Sequence, residues 1–518
     1  MKRATIAIVF AAVLLCFLVS LSRAQTPNME NRTHRIGNIG FTVTNYGILG
    51  SWMRDLVDPW TGLPAPSAEF PLDSGLEYLF SGYLWVGAIV DGDTLVSTAS
   101  DGWWNVREMY PNDDDSIFHD QEKCDLRFIA TYYDTSTGSW VEPDPFDGPH
   151  RPIGLKFEQK SYSWEDPPND DFIIIEYDVT NISGRTLSDL YLGLHIDGDV
   201  HYHDAGAPGA QDDIAGFLDW WHPGEDSFKV DVAWIADNDG DPTGGQFDDH
   251  SPISVTGVKV LKPPGQEQEM SFNWWISNVN AQYDWGPQRV VNQRVFLDGN
   301  RGTPTGDACR YYVMSNGDFD YDQVWTSYQF PGWIDPPPEP MAGDIANGYD
   351  TRYLLSYGPF EMAPGEDLSF TVGYICGEDF HTDPLGFDPN HPESTVYNYD
   401  DFASAALWVQ HLYDSLFTPV GVPDESEHSL PTEFRLAQNH PNPFNARTVI
   451  GYQLPIKSEV RLEVYNLLGQ KLATLVDGKQ EAGFRSVIWE ASQISSGIYF
   501  YRLTAGDFTE VRRMMLMK

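Results

Sequence analysis

The run Val460-Arg461-Leu462-Glu463-Val464-Tyr465 decides the fold of the C-terminal part of this chain, because apolar and polar residues alternate along it with a period of two. The next run, Asn466-Leu467-Leu468-Gly469-Gln470, is a predicted turn into a return strand at 471–476. Six or so such strands at regular spacing predict a small immunoglobulin-like sandwich over residues 432–518. The other predicted strands are 448–454, 484–489, 497–504 and 508–517, with turns at Asp477-Gly478 and Ala482-Gly483.

A structured turn opens this segment. Asn439-His440-Pro441-Asn442-Pro443-Phe444-Asn445 contains two prolines and three asparagines, which exclude a helix and a central strand. This opening, the runs 464–470 and 496–503 and the ending 512–518 resemble the type A C-terminal sorting domain of type IX secretion cargo. That family is related to the immunoglobulin-like module of flagellar hook-capping proteins. The residues that match its motif are Asn439, Pro441, Asn442, Pro443, Phe444, Asn445, Gly469, Gly497, Tyr499 and Lys518.

The resemblance implies that machinery in the outer membrane of a Gram-negative bacterium recognises residues 432–518, with the protein secreted or held at the cell surface. It does not tell whether the segment is cleaved off or used as an anchor. The alternative is an ordinary immunoglobulin-like domain without a sorting role.

The first 24 residues have the pattern of a secretory signal peptide. Lys2-Arg3 gives a charged start, 4–21 is an apolar run, and Ser22-Arg23-Ala24 is a small-x-small cleavage site. We therefore expect cleavage before Gln25. No later stretch reaches 18 consecutive apolar residues, so the mature chain is predicted to have no transmembrane helix.

Negative charge is concentrated between the two ends of the chain. The whole chain carries −44, residues 432–518 carry +3, and residues 25–431 therefore carry −50 once the three basic residues of 1–24 are set aside. Such an acidic surface excludes binding of nucleic acid through its phosphates. It favours solubility and suits divalent cations.

Three cysteines remain after residue 24: Cys124, Cys309 and Cys376. Their odd number allows one disulfide and leaves one thiol, and the pairing stays open. None of them has the CxxC spacing of a zinc site. Packing rather than cross-linking must therefore hold the fold.

The body, residues 25–418, is predicted to be all-β. Residues 83–90 and 94–98 form a predicted hairpin, and 171–180 and 187–196 are predicted strands around a turn. The stretch 172–199 resembles the strand pairs of extracellular immunoglobulin-like modules, and the body resembles secreted β-proteins that carry the same tail. Its length predicts one large elaborated β-sandwich or two fused ones. Further strands are predicted at 77–80, 230–235, 255–261, 272–277 and 369–375.

One helix is predicted, Phe402 to Phe417, because Asp400-Asp401 precede it and an apolar stripe runs along it. Residues 419–431 are a predicted polar linker. The chain shows no repeat of fixed period, which argues against a propeller or solenoid. The predicted organisation is a signal peptide (1–24), the body (25–418), the linker (419–431) and the sorting domain (432–518).

An acidic loop is the candidate calcium site. Asp237, Asp239, Asp241 and Asp248 are spaced so that one loop supplies several of the six to eight oxygens that calcium requires. The loop departs from an EF-hand, because Pro242 stands where that motif has glycine. Asp and Gly next to Pro are also ordinary turn formers, so solvated turns are the alternative. Residues 318–322 contain a similar, weaker acidic run.

A second polar cluster lies at 195–204. On a continuous strand, His195, Asp197, Asp199, His201 and His203 would share one face and suit a transition metal. Gly198 favours a break after Ile196, in which case the cluster is a solvated strand end. The resemblance to the His-x-His-x-Asp motif of metallohydrolases is partial, because Ala205 stands where that motif has its next histidine.

Tryptophan is concentrated in the body, which holds 16 of the 17, including the pairs Trp103-Trp104, Trp220-Trp221 and Trp274-Trp275. Neighbours on a strand point to opposite faces, so one ring of each pair is free to face outward and bind glycans. Burial in a two-sheet core is the alternative.

No nucleophile, zinc-protease or phosphate-loop motif occurs in the sequence. The sequence therefore favours a secreted or surface protein whose body is a non-enzymatic binding or structural component. The alternative is a carbohydrate-active enzyme or glycan-binding protein with calcium-stabilised loops. A metallohydrolase built on His195, His201 and His203 is the third hypothesis.

Overall fold

The structure is a computed structural model. The predicted signal peptide and linker lie outside the described residues. Described are residues 28–516 without 52–55, 101–107, 138–147, 205–210, 224–227, 264–268, 277–289, 292–293, 296–303, 305, 318–321, 325–338, 418–433, 437–438, 440–446, 468, 481, 492–493 and 507. The chain divides into two compact units, residues 1–406 and 407–518.

Antiparallel strands dominate the first unit. They are β1 (Asn31–His34), β2 (Gly40–Thr44), β3 (Ile48–Leu49), β4 (Ala68–Glu69), β5 (Leu76–Glu77), β6 (Ser81–Val90), β7 (Asp93–Thr98), β8 (Phe118–Asp120), β9 (Leu126–Asp134), β10 (Leu155–Ser163), β11 (Phe172–Asn181), β12 (Leu187–Asp197), β13 (His201–Tyr202), β14 (Asp213–Trp221), β15 (Phe228–Asp237), β16 (Val255–Lys262), β17 (Glu269–Ile276), β18 (Val290–Val291), β19 (Arg294–Val295), β20 (Thr351–Met362) and β21 (Asp367–Gly377).

Three α-helices complete the described elements up to residue 417: α1 (Gly306–Ser315), α2 (Glu339–Ala346) and α3 (Asp400–Phe417), with a 3-10 turn at Pro392–Ser394. The helix predicted at 402–417 is observed two residues longer at its start. The helices α1 and α2 were not predicted, because they are only ten and eight residues long and α1 lacks a long apolar stripe.

The described part of the body contains one two-sheet sandwich, and β18 and β19 form a separate two-stranded sheet. The first sheet has the order β13-β5-β4-β2-β3-β6-β12-β20-β17, with β1 on β2 and β7 on β6; the second has the order β14-β15-β16-β21-β11-β10-β9-β8. Phe272 of the first sheet and Phe217 of the second meet with ring centroids 5.5 Å apart, and Phe41 and Tyr374 meet at 4.9 Å. Aromatic side chains therefore join the two sheets in a common core.

Two corners carry the chain from one sheet to the other. β11 and β12 follow each other in sequence but lie in different sheets, as do β20 and β21. Asn181 ties the corners together, because its Nδ2 donates to the carbonyls of Met362 and Ala363, each at 3.1 Å. The other ends of these four strands lie at the opposite end of the sandwich. That opposite end holds the acidic residues of the candidate metal centre.

The second unit contains a small sandwich, as predicted, with seven described strands where about six were predicted. Its strands are β22 (Arg435–Leu436), β23 (Arg447–Leu454), β24 (Ser458–Asn466), β25 (Lys471–Gln480), β26 (Gly483–Glu490), β27 (Gly497–Ala505) and β28 (Phe508–Leu516). The sheets have the orders β22-β23-β26 and β25-β24-β27-β28. The prediction of a turn at Asp477-Gly478 is wrong. β25 continues through these residues, because Arg461 pairs with Asp477 across the ladder at 3.2 Å.

Candidate metal centre

The end of the β14–β15 hairpin places acidic residues side by side. Asp213 opens β14 and Asp237 closes β15, and the two are direct cross-strand partners. The segment before β20 joins this end to the first sheet, since the Tyr349 amide donates to the Asp213 carbonyl at 3.0 Å. Carboxylates from several loops consequently converge there.

The chain after β15 folds around the carboxylate of Asp237. Asp237 Oδ1 accepts hydrogen bonds from the amides of Asp239, at 2.9 Å, and of Gly240. Gly240 has φ +76°, which permits this tight turn, and the added Cβ of any other residue would meet Phe247 and His381 at 3.0–3.2 Å. The turn leaves Asp237 Oδ2 without a hydrogen-bond partner, and that atom is buried.

Three carboxylates meet at this turn. Asp212, Asp237 and Asp241 each offer one oxygen, and these oxygens lie within 4.8 Å of one another. Asp237 is fully buried, Asp212 is half-buried and Asp241 is exposed, so the group has an open side through which an ion can enter. Asp212 Oδ1 is, like Asp237 Oδ2, buried without a hydrogen-bond partner.

Repulsion between the carboxylates of Asp212, Asp237 and Asp241, together with the burial of Asp212 and Asp237, favours the binding of positive charge by this group. Burial, with the nearby Asp241 and Asp239, raises the pKa of Asp212 to about 7. The same two causes, burial first and then Asp212 and Asp241, raise the pKa of Asp237 well above its ordinary value. A proton or a cation would relieve both effects.

Neutral groups fix the backbone of this loop. His381 Nε2 donates to the Asp237 carbonyl at 2.9 Å, and burial lowers the pKa of His381 to about 4, so its imidazole is uncharged at neutral pH. The Tyr397 hydroxyl donates to the Asn238 carbonyl at 3.3 Å. The acidic loop is thus held by partners that neither compete with nor neutralise its carboxylates.

The structure brings together two of the four residues of the predicted calcium site, Asp237 and Asp241. Asp239 Oδ1 instead accepts the Asp241 amide at 2.8 Å. Asp248 is exposed, and its Oδ1 accepts the His250 amide at 2.9 Å. Asp212 was missed, although an Asp-Asp pair at the start of a strand is a signal that the sequence contains. Of the weaker acidic run, 318–320 lie outside the described residues.

The cluster at 195–204 does not form one metal-binding face. β12 ends at Asp197, before Gly198. His201 Nδ1 contacts the Asp199 carbonyl at 2.6 Å, and His203 Nδ1 contacts the Gly75 carbonyl at 3.0 Å. His195 is buried against Trp85, with parallel rings 5.3 Å apart, and burial lowers its pKa well below the ordinary value. The acidic members, Asp197 and Asp199, lie together elsewhere in this end of the sandwich.

The tryptophan pairs differ in how far their side chains are buried. Trp274 and Trp275 are both buried, because α1 covers the outer face of the first sheet, where the Ser356 hydroxyl donates to the Met314 carbonyl at 2.9 Å. Trp220 is 46% exposed. Trp103-Trp104 lies outside the described residues. Among the described residues, Cys124, Cys309 and Cys376 form no disulfide.

The turn that opens the C-terminal segment is tied to the sandwich by Asn439. Its amide donates to the Tyr501 hydroxyl at 2.7 Å, and its Nδ2 donates to Thr448 Oγ1 at 2.9 Å. Tyr499 contacts Trp489 edge-on at 5.8 Å, and Gly469 takes φ +72° in the β24–β25 turn. Pro441 to Asn445 and Lys518 lie outside the described residues.

The family profile of the secretion system C-terminal sorting domain matches residues 439–517. The chain therefore carries the sorting domain of type IX secretion cargo, and the protein is exported to the outer-membrane surface or the extracellular space of a Gram-negative bacterium of the Bacteroidetes type. The domain implies an interaction with the secretion machinery. No described helix is long and apolar enough to cross a membrane.

Two solved structures align with most of the chain at low similarity. A polysaccharide lyase shares 11% identity at a TM-score of 0.25, over 96% of this chain and 47% of that one. Dimeric latent PorU from Porphyromonas gingivalis shares 8% identity at a TM-score of 0.15, over 96% of this chain and 34% of that one. The chain thus spans about half the length of the lyase. No curated protein matches the sequence.

Proposed function

We propose that the body is a non-enzymatic binding or structural component that works outside the cell, with its loop end fixed by a calcium ion between Asp212, Asp237 and Asp241. The observation that carries the proposal is this set of converging carboxylates with two buried oxygens, Asp237 Oδ2 and Asp212 Oδ1, that have no hydrogen-bond partner.

The ligand chemistry favours calcium. All three side chains supply carboxylate oxygens, which hard cations prefer, and the described group contains neither histidine nor cysteine. Calcium tolerates an irregular shell of six to eight oxygens, so water entering beside the exposed Asp241 completes the coordination. Extracellular calcium modules work with dissociation constants of about 10⁻⁴–10⁻³ M, so a weak affinity suffices for a site that forms only after export.

Two buried carboxylates of the body, Glu77 and Glu108, have a structural use that supports the non-enzymatic proposal. Glu77 Oε2 accepts the amides of Ser67 and Ala68 at 3.1 and 3.2 Å, and Glu108 Oε2 accepts the Thr98 amide at 2.7 Å. Carboxylates that accept backbone amides in this way brace the adjoining segments.

An enzyme assay tests the proposal directly. The chain without its predicted signal peptide (25–518), saturated with calcium, is incubated with a panel of neutral and anionic polysaccharides. We expect no new reducing ends and no absorbance from unsaturated sugars. Release of either product above a heat-denatured control rejects the non-enzymatic role.

Glycan binding is the second candidate, and one cavity favours it. A cavity of about 300 Å³, at the small end of the range for ligand sites, is lined by Arg35, Leu63, Pro64, Glu69, Asp73, Ser74, Gly75, Tyr202 and His203. An aromatic ring beside charged and hydroxyl groups is the combination that holds a sugar ring and its hydroxyls.

A glycan array with the same chain tests this candidate. Glycan binding at the cavity predicts a signal that Tyr202→Ala abolishes, whereas Trp220→Ala, a change at an exposed aromatic residue that does not line the cavity, leaves it unchanged. An array without signal, or a signal that Tyr202→Ala does not alter, removes the cavity from consideration.

A further inference from the structure

A second group of carboxylates lies at the same end of the body, in the first sheet. Asp197 ends β12, Asp199 follows it by two residues, and Asp350 directly precedes β20. Each offers one oxygen, and these oxygens lie within 4.8 Å of one another. The group is distinct from the set of Asp212, Asp237 and Asp241, and shares no residue with it.

One cationic side chain, that of Arg352, already lies in this group. Three ionised carboxylates and one guanidinium leave the group with a net negative charge. Arg352 Nε donates to Asp197 Oδ2 at 2.9 Å, and Arg352 Nη1 lies 2.8 Å from Asp350 Oδ1. Arg352 faces Asp197 directly across the β12–β20 ladder, so the ladder fixes this pair. Arg352 therefore contacts Asp197 and Asp350, and the single positive charge of its guanidinium lies among the three carboxylates of the group.

One acceptor in the group is buried without a hydrogen-bond partner. Asp197 is 0% exposed, and its Oδ1 makes no hydrogen bond. Asp199 is 9% exposed, and one of its oxygens lies within 4.8 Å of the oxygens that Asp197 and Asp350 offer. Crowding three carboxylates around a buried acceptor is costly, and a bound proton or a bound cation compensates that cost.

We propose that Asp197, Asp199 and Asp350 bind a second divalent cation of the hard, oxygen-preferring class, with calcium as the natural candidate. Asp197 Oδ1 and one oxygen each from Asp199 and Asp350 are the ligands, and water or backbone carbonyls fill the remaining positions. Arg352 then acts as a positioning residue, because it holds Asp197 and Asp350 while leaving Asp197 Oδ1 available.

Asp213 lies close to members of both groups. Both of its carboxylate oxygens accept the Val200 amide, at 3.2 and 3.3 Å, so Asp213 is bound to the segment that follows Asp199. The two sets of three carboxylates share no ligand, so each can be tested by its own substitution. The proposal is therefore independent of the proposed function of the body.

Counting bound ions tests the proposal. The chain 25–518 is stripped with a chelator, dialysed against calcium and analysed for metal per chain, as wild type and as Asp199→Asn, Asp241→Asn and Asp113→Asn. Asparagine suits positions 199 and 241, because both have positive φ (51° and 52°) and asparagine tolerates the left-handed region. Asp113 is exposed and belongs to neither group, so it is the control.

We expect two ions per chain in the wild type and in Asp113→Asn, and one in each of the other two variants. One ion in the wild type that persists in Asp199→Asn overturns this proposal and leaves the first site intact. One ion that Asp199→Asn removes and Asp241→Asn retains supports this proposal and rejects the first site. No ion in the wild type rejects both.

Thermal melting separates ion binding from a purely structural role of Asp199. In chelator, Asp199→Asn removes one of three crowded carboxyl groups and is expected to melt at or above the wild-type midpoint; in saturating calcium it is expected to show a smaller upward shift than the wild type. A variant that melts lower than the wild type by the same amount in both conditions contradicts the proposal.

Discussion

Asp213 and Asp237 stand opposite each other at the end of the β14–β15 hairpin, and both side chains are fully buried. Like charges directly opposed on a ladder destabilise a sheet, and burial raises the pKa of both carboxyls further above the ordinary value. The fold tolerates this arrangement if a proton or a cation compensates the charge, and the first two predictions follow from that requirement.

Calcium should raise the thermal midpoint of the chain after chelator treatment. A ligand at one hundred times its dissociation constant stabilises the fold by about 2.7 kcal/mol, provided that the unfolded chain does not bind it. Asp241→Asn is expected to reduce the shift. Asp248→Asn is the matched control, since Asp248 was predicted as a ligand but lies outside the group, and equal losses in the two variants would refute the assignment.

Calcium should reverse the sign of the difference in stability between Asp212→Asn and the wild type near pH 7. In chelator, the pKa of Asp212 is about 7 in the folded chain against an ordinary 3.8. Between about pH 4 and 7 the folded chain therefore holds more protons than the unfolded chain. The contribution of Asp212 to the free energy of unfolding is lost as pH rises through this range. Asp212→Asn should therefore gain stability relative to the wild type over this range.

Urea unfolding at several pH values measures the difference between Asp212→Asn and the wild type. In saturating calcium the order is expected to reverse near pH 7, with the wild type more stable, because the ion needs the ionised carboxylate. A difference that is constant from pH 4 to 7 in chelator would count against the shifted pKa.

His150 should stabilise the body as a cation. Its Nδ1 lies 3.2 Å from Glu108 Oε1 and its Nε2 lies 2.9 Å from Asp134 Oδ1. Burial lowers its pKa, but the hydrogen bonds with Asp134 and Glu108 outweigh burial and raise it to about 10. Its contribution is thus complete below pH 6.5 and is lost as pH rises through about 10.

His150→Gln is expected to lower the free energy of unfolding by about 3 kcal/mol at pH 7, because it leaves two buried carboxylates without their cation. His119→Gln, an exposed histidine, is the control and should change little. Chemical denaturation measures both variants, and an effect of His150→Gln that does not shrink between pH 8 and 10 would contradict the ionic role.

Tyr501→Phe should weaken the sorting domain. The substitution leaves the buried Asn439 amide without this acceptor, which costs about 1–3 kcal/mol. We expect a larger share of the protein behind the outer membrane, measured by protease treatment of whole cells. Val511→Ala, 53% exposed on β28, is the control. Equal surface display of all three proteins would show that export does not depend on this anchoring of the turn.

The sorting function can also be transferred. Residues 432–518, fused to an unrelated periplasmic passenger, should carry it outside a host that has the matching exporter. A passenger that remains behind the outer membrane would show that the body contributes to sorting.

Local signals explain what was predictable about the fold. The β6–β7 hairpin was predicted because Asp91-Gly92-Asp93 joins two strands that pair directly, from Trp85 with Thr98 to Val90 with Asp93. The next predicted turn, after Asn181, looked the same in sequence, yet it carries the chain into the other sheet. Turn residues determine where a strand ends. They do not determine which strand the next one pairs with, because strand pairing depends on packing between residues that are distant in sequence.

By itself the sequence determined that the chain is all-β, that its body is strongly acidic and that it ends in a sorting domain, because strand periodicity, charge and a local motif are written in consecutive residues. The tertiary structure alone decided which acids meet: Asp212 joined Asp237 across a hairpin, Asp350 joined Asp197 across two adjacent strands, and Asp248 was left outside. Ladder register and the corners between sheets set those distances, and no local pattern encodes them.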